Sequence, residues 1–137
     1  MPSHYKHIED GIQIAIMTAT GFILKPEDGI LFAVPNGGKR DIREAVRLKQ
    51  MGVRAGVSDL ILMLSNGNII FVEIKRPAAN KPIATHKAGV MSDKQKEFKK
   101  IAQDFGHQYI IVTSVEEWVE FLKNKLNDLQ ATKNIKH

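Results

Sequence analysis

Asp59, Glu73 and Lys75 are the residues whose types and spacing point to chemistry. They stand in GVSDLILMLSNGNIIFVEIK, residues 56–75, where two apolar runs flank a polar turn. A glutamate and a lysine inside a run otherwise built for burial need partners, because charged side chains are rarely buried alone. Strand side chains alternate, so Glu73 and Lys75 share one face of a sheet. With Asp59 beside them they form a hard-oxygen site. Carboxylates without cysteine or histidine favour Mg²⁺ or Mn²⁺ over zinc. An ammonium next to such an ion can offset charge on a phosphate or orient an attacking water. The bland alternative is a Lys–Glu pair on an ordinary sheet.

The elements that must position these groups are two strands, Leu60–Leu64 and Ile69–Ile74, joined through Ser65-Asn66-Gly67-Asn68. Asn-Gly between aliphatic runs is a strong hairpin signal, since both residues tolerate positive φ. A three-residue loop, Ser65-Asn66-Gly67, with Gly67 in the left-handed position and a bulge sets Asp59 opposite Glu73. A strict two-residue turn would set Asp59 opposite Ile74, on the wrong face. The three-residue loop is the expectation.

With 137 residues and 43% hydrophobic content, the chain makes one domain with a real core. It has no cysteine, which excludes disulfides, thiolate metal sites and a cysteine nucleophile. No signal peptide is visible in MPSHYKHIED, and no apolar run approaches the roughly 18 residues of a membrane span. A cytoplasmic location with no membrane partner is therefore expected. The net charge of +5 suits a polyanionic partner. Its distribution says more. Lys39 to Arg54 holds six basic and two acidic residues, and Lys75 to Lys100 holds eight and two. Both clusters flank the acidic hairpin.

Along the chain, residues 5–20 carry Ile8, Ile12, Ala15, Ile16 and Ala19 at helical spacing, with Gly21 expected to end the helix. Ile30–Val34 is a short strand. Pro35-Asn36-Gly37-Gly38 is an irregular loop whose glycines allow close approach to a ligand such as a phosphate, or merely a turn. Asp41 caps a helix to about Met51, with Glu44 completing a capping box. Residues 78–90 make a loop long enough to cover a substrate. Ser92 and Gln95 form a further capping box, opening a helix in which Phe98, Ile101, Ala102 and Phe105 face inward. Tyr109–Thr113 is a strand, and Ser114 with Glu117 opens the last helix. Residues 1–125 are read as the functional domain, and 126–137 as the helix end and a polar tail that frays from Ala131. The order α-β-α-β-β-α-β-α predicts an α/β fold, a mixed sheet of about four strands flanked by helices.

Asp59-(x13)-Glu73-Ile74-Lys75 on a hairpin resembles the PD-(D/E)XK nuclease superfamily. Within it the sequence is most similar to the VRR-NUC (virus-type replication-repair nuclease) domains. Four blocks in order carry the resemblance: residues 9–13 (EDGIQ), 35–40 (PNGGKR), 47–59 (RLKQMGVRAGVSD), and 73–77 (EIKRP) followed by Ser92-x-x-Gln95. It covers roughly residues 5–122. Ser58 stands where many members have proline before the aspartate, which bears on local backbone stiffness.

That resemblance implies a restriction-endonuclease-like α-β-β-β-α-β core. It also implies roles: Asp59 and Glu73 as metal ligands with the Ile74 carbonyl a third, and Glu9 reaching the site from the first helix as a further ligand or through water. Lys75 would position or activate the attacking water, and Gln95 would support the lysine or the water. Asn36, Gly37, Gly38, Arg40, Arg54 and Arg76 would contact nucleic acid, although surface ion pairs explain Arg40 and Arg54 nearly as well. The implied activity is an Mg²⁺- or Mn²⁺-dependent endodeoxyribonuclease, a homodimer resolving four-way (Holliday) DNA junctions. The alternatives are a flap- or end-cutting nuclease with the same site and a non-catalytic nucleic-acid-binding accessory module.

Overall fold

The computed structural model of the protein describes residues 2–35, 41–78 and 88–135. Within them the elements are α1 (Pro2–Ile23), β1 (Gly29–Ala33), α2 (Ile42–Gln50), β2 (Leu60–Leu64), β3 (Ile69–Ile74), α3 (Asp93–Asp104), β4 (Gln108–Val112) and α4 (Val115–Ile135). The order is the one the sequence predicts.

The turn sets the register. Gly67 has φ +93°, its N–H donates to the Leu64 carbonyl at 3.0 Å, and Leu64 N–H donates to Asn68 O at 3.0 Å. Asn66 adds a local brace, its side-chain oxygen accepting from Asn68 N–H at 3.1 Å. Leu60 therefore lies opposite Val72 and Met63 opposite Ile69, as the three-residue loop requires. The sheet order is β1-β2-β3-β4, antiparallel except for the parallel β3–β4 pair. A parallel pair needs a crossover, and the segment carrying α3 provides it.

Strand alternation divides the sheet into two unlike faces. Leu60, Leu62, Leu64, Ile70, Val72 and Ile74 pack with Ile16 of α1 and with Trp118 and Leu122 of α4 in the core. On the other face Phe71 meets Phe98 of α3 edge-on at 5.0 Å between ring centroids, and Phe98 lies 6.3 Å from Tyr109. The layers are thus α1 and α4, the sheet, then α3. One polar chain ties the first layer together: Trp118 Nε1 donates to Thr20 Oγ1 at 2.8 Å, and that hydroxyl donates to Ile16 O at 2.6 Å.

Several details depart from expectation. α1 runs through Gly21 to Ile23 because Ile23 and Leu24 still pack on the core. The tail expected to fray from Ala131 is helical to Ile135, with Leu129 buried and Lys133 Nζ 2.7 Å from the buried Asp28 carboxylate. Phe105, expected inside, caps the end of α3 and is 75% exposed. In α2 the Asp41 side chain accepts from Glu44 N–H at 2.8 Å, yet the helix buries none of its residues. No helix among the described residues is long and apolar enough to cross a membrane.

Trp118→Phe removes the donor to Thr20 and part of a fully buried ring. We expect a loss of about 1–3 kcal/mol in urea unfolding with an unchanged m-value. An unchanged midpoint would mean that the indole N–H contributes nothing to α1–α4 docking.

Candidate active site

The site forms where β2 begins and β3 ends. Asp59 enters β2 with its main chain held on both sides: its N–H donates to Val72 O at 3.1 Å and its carbonyl accepts from Val34 N–H at 2.9 Å. Its Oδ2 accepts from Ile74 N–H at 2.7 Å, which fixes the carboxylate across the strand pair. Ser58, buried and without the stiffness of proline, donates its hydroxyl to Leu60 O at 2.9 Å. That bond braces the entry to β2.

Glu73 is only 2% exposed. Its carboxyl is pushed up to about 9, first by burial, then by a hydrogen bond with Asp59 and by the Asp59 charge; Lys75 opposes the shift and Glu9 adds to it. Glu73 Oε2 is buried with no hydrogen-bond partner among the described residues.

Lys75 follows on the same side of β3, half-buried, with its N–H donating to Val112 O at 3.0 Å. Gly89 closes over it: Gly89 N–H donates to Arg76 O at 2.9 Å. A Cβ at Gly89 would stand 3.2 Å from Lys75 Cδ and 2.9 Å from Glu9 Oε2. Glu9 does reach this corner from α1, but its Oε2 accepts from Arg76 N–H at 3.0 Å and lies 3.8 Å from the Arg76 guanidinium. Among the described residues no three acidic or histidine side chains converge as a metal cluster. Glu9 acts on Glu73 through its charge.

Gln95 sits at the start of α3, where its side-chain oxygen accepts from Ser92 N–H at 2.9 Å and Ser92 Oγ accepts from Gln95 N–H at 3.1 Å. The capping box expected of it is present. What brings that helix end to the site is Gly56, with φ +81°. A Cβ there would fall 2.5 Å from the Lys94 carbonyl carbon and 2.7 Å from Gln95 N, so only glycine lets the approach to Asp59 pass beneath α3. The sequence offered Gly56 only as part of a motif. The signal was its place three residues before the aspartate.

Arg54 is exposed, 3.9 Å from Glu97 and 6.0 Å above the Phe98 ring. With Lys94 it borders a cleft of about 610 Å³ between α2 and α3 that also holds Lys49, Leu48 and Val53. Arg76 is tied to Glu9 and half-buried. Asn36, Gly37, Gly38 and Arg40 lie outside the described residues, as does most of the expected covering loop (79–87).

The donor set fits an oxygen-preferring divalent cation. Two carboxylates, one with a buried unengaged oxygen, match the one or two carboxylates by which Mg²⁺ is commonly held alongside water and phosphate.

The fold is α/β and restriction-endonuclease-like, with four helices and a mixed four-stranded sheet among the described residues. One solved structure that it resembles is a "VRR_NUC domain protein", with a TM-score of 0.61, 19% identity, and coverage of 85% of this chain and 86% of that one. The chain thus has the fold of a VRR-NUC domain. No family model matches the sequence, and no curated protein does.

Gly56→Ala should push the α3 N-terminus away from Asp59, destabilising the fold by roughly 1–3 kcal/mol. Equal urea midpoints for the two proteins would count against the close approach. A second expectation concerns pH. The Glu73 proton is held more tightly in the folded than in the unfolded chain, where 4.5 applies. Its stabilisation is complete below that value and is lost as pH rises toward about 9. In chelator, Tm should fall from about pH 5 to pH 9 more steeply for wild type than for Glu73→Gln. Parallel Tm profiles would refute the shift.

Proposed function

We propose that the protein is a metal-dependent, structure-selective DNA endonuclease that hydrolyses phosphodiester bonds and resolves four-way junctions as a homodimer. The observation that carries this reading is buried Glu73 beside the half-buried Asp59, with Glu73 Oε2 unengaged and Lys75 two residues on. Burying one acid against another costs free energy that ordinary packing would avoid. A divalent cation gives the arrangement a purpose. The VRR-NUC fold of the similar structure supports the nuclease reading.

Asp59, Glu73 and the Ile74 carbonyl would hold Mg²⁺ or Mn²⁺, which when bound supplies Lewis-acid charge neutralisation at the scissile phosphate. The remaining work falls to the chain's own groups. Ile74 N–H holds the Asp59 carboxylate in place. Lys75 orients the attacking water and balances charge as the water oxygen bonds to phosphorus and the scissile phosphorus–oxygen bond breaks, its leaving oxygen taking up a proton from solvent while the attacking water gives one up. Glu9 fixes the Arg76 main chain next to that lysine, through the 3.0 Å bond to its N–H. Gln95 supports the lysine or water from the start of α3.

DNA is the partner that suits the basic flanks. Arg54 and Arg76, with Arg40 and the Asn36-Gly37-Gly38 loop, contact phosphates and read backbone charge and shape rather than base sequence. Two symmetric cuts in a junction need two active sites, which a C₂ dimer supplies.

The test is cleavage of labelled four-way junction, flap, single-stranded and linear duplex DNA in Mg²⁺, Mn²⁺ or chelator, with Asp59→Ala as the inactive control. We expect symmetric, metal-dependent cuts in the junction. Lys75→Ala should lower cleavage by about 10²-fold or more while DNA binding stays within a few-fold. Cutting confined to flaps or ends would move the substrate and leave the chemistry. Binding without any cutting would favour the accessory module, and full activity of Lys75→Ala would remove the lysine from its role.

A further inference from the structure

The Tyr109 hydroxyl is a buried polar atom that the reading above leaves without a task. Tyr109 is 6% exposed, and its hydroxyl and Glu73 Oε2 are the two buried side-chain polar atoms without a hydrogen-bond partner among the described residues. An unpaired buried hydroxyl is destabilising, so phenylalanine would fill the same space at lower cost.

The two orphan atoms belong to one layer. In the parallel β3–β4 ladder Tyr109 pairs with Phe71, and Ile111 pairs with Glu73, so Tyr109 and Glu73 are diagonal neighbours on the same face. Diagonal positions in a sheet are within reach of an aromatic side chain. The phenol holds its proton more tightly than usual, first through burial and then through the negative charges of Glu73 and Asp59, so both carboxyls act on it. The ring is confined by Phe98 at 6.3 Å. Their valences also match, since tyrosine offers an O–H donor and Glu73 Oε2 an acceptor.

We propose that Tyr109 is a positioning residue of this site: its hydroxyl, which makes no direct bond to Glu73, donates to the Glu73 carboxylate across one water and fixes the orientation in which Glu73 offers its oxygens to a divalent cation. The proposal rests on the metal-binding reading of the Asp59–Glu73 pair. Hydrogen-bond partners behind a ligating group typically contribute 10–100-fold to metal affinity. Tyr109 sits behind Glu73, away from the substrate side that Lys75 serves.

The test is Mn²⁺ binding to the whole chain by calorimetry, with Tm measured with and without Mn²⁺, for wild type, Tyr109→Phe and Phe98→Leu. Tyr109→Phe keeps the ring and loses only the hydroxyl. We expect its metal-free Tm to equal or exceed wild type, its Mn²⁺ affinity to fall about tenfold or more, and its Mn²⁺-induced Tm rise to shrink. Phe98→Leu disturbs the neighbouring packing and should lower Tm while leaving Mn²⁺ affinity unchanged. An affinity for Tyr109→Phe within twofold of wild type overturns the proposal and leaves the metal reading standing. An equal loss of affinity in Phe98→Leu also overturns it, because packing rather than the hydroxyl would then be responsible. No Mn²⁺ binding by wild type would overturn the metal reading and this inference together.

Discussion

A buried glutamate set against the half-buried Asp59 at the end of a hairpin is the feature on which the rest of the arrangement depends. Glu73 is almost wholly out of water, and its nearest partner is another acid. Asp59 can stand there because its main chain is bonded to Val34 on one side and Val72 on the other, and its side chain to Ile74 N–H. All three bonds require one register. A slip of one residue would bring Asp59 opposite Ile74 and send the two carboxyls to opposite faces. Gly67, with its positive φ, prevents that slip by fixing the loop at three residues. The turn is some seven residues along the chain from Asp59, yet it decides whether the acids meet.

The same alternation that pairs the acids also separates stability from chemistry. Leu60, Leu62, Ile70, Val72 and Ile74 point to α1 and α4, where Trp118 and Leu122 close the core. Phe71, Glu73 and Tyr109 point the other way, toward α3. A strand that presents only aliphatic groups to one side can tolerate an acid on the other. The cost of burying Glu73 is then offset by a core to which it does not belong.

Both strands of the hairpin, their register and the Ser92–Gln95 capping box were legible in the sequence because each is encoded by neighbours: Asn-Gly at a turn, a hydroxyl three residues before a glutamine. What could not be read was non-local. Glu9 of the first helix meets Arg76 across 67 residues of chain, a pairing no local pattern announces. The last helix outran its expected end because Lys133 finds Asp28, 105 residues earlier. Tyr109 read as one more apolar strand residue, since only the parallel register of β4 against β3 sets it diagonal to Glu73. Gly56 could be seen, but its positive φ and the helix end pressed against it could not.

A third acid, Glu9, stands beside the Asp59–Glu73 pair while its carboxylate is bonded to Arg76. That placement matters electrostatically. Glu9 is near enough to strengthen the hold of Glu73 on its proton, so it makes the site more negative. Lys75 acts in the opposite sense on the same carboxyl. A third acid at the rim attracts a divalent cation more strongly than a monovalent one, because the interaction scales with the charge of the ion. It also anchors Arg76, and through Arg76 O the Gly89 N–H, so that one carboxylate both sets the field at Glu73 and holds the chain on either side of Lys75.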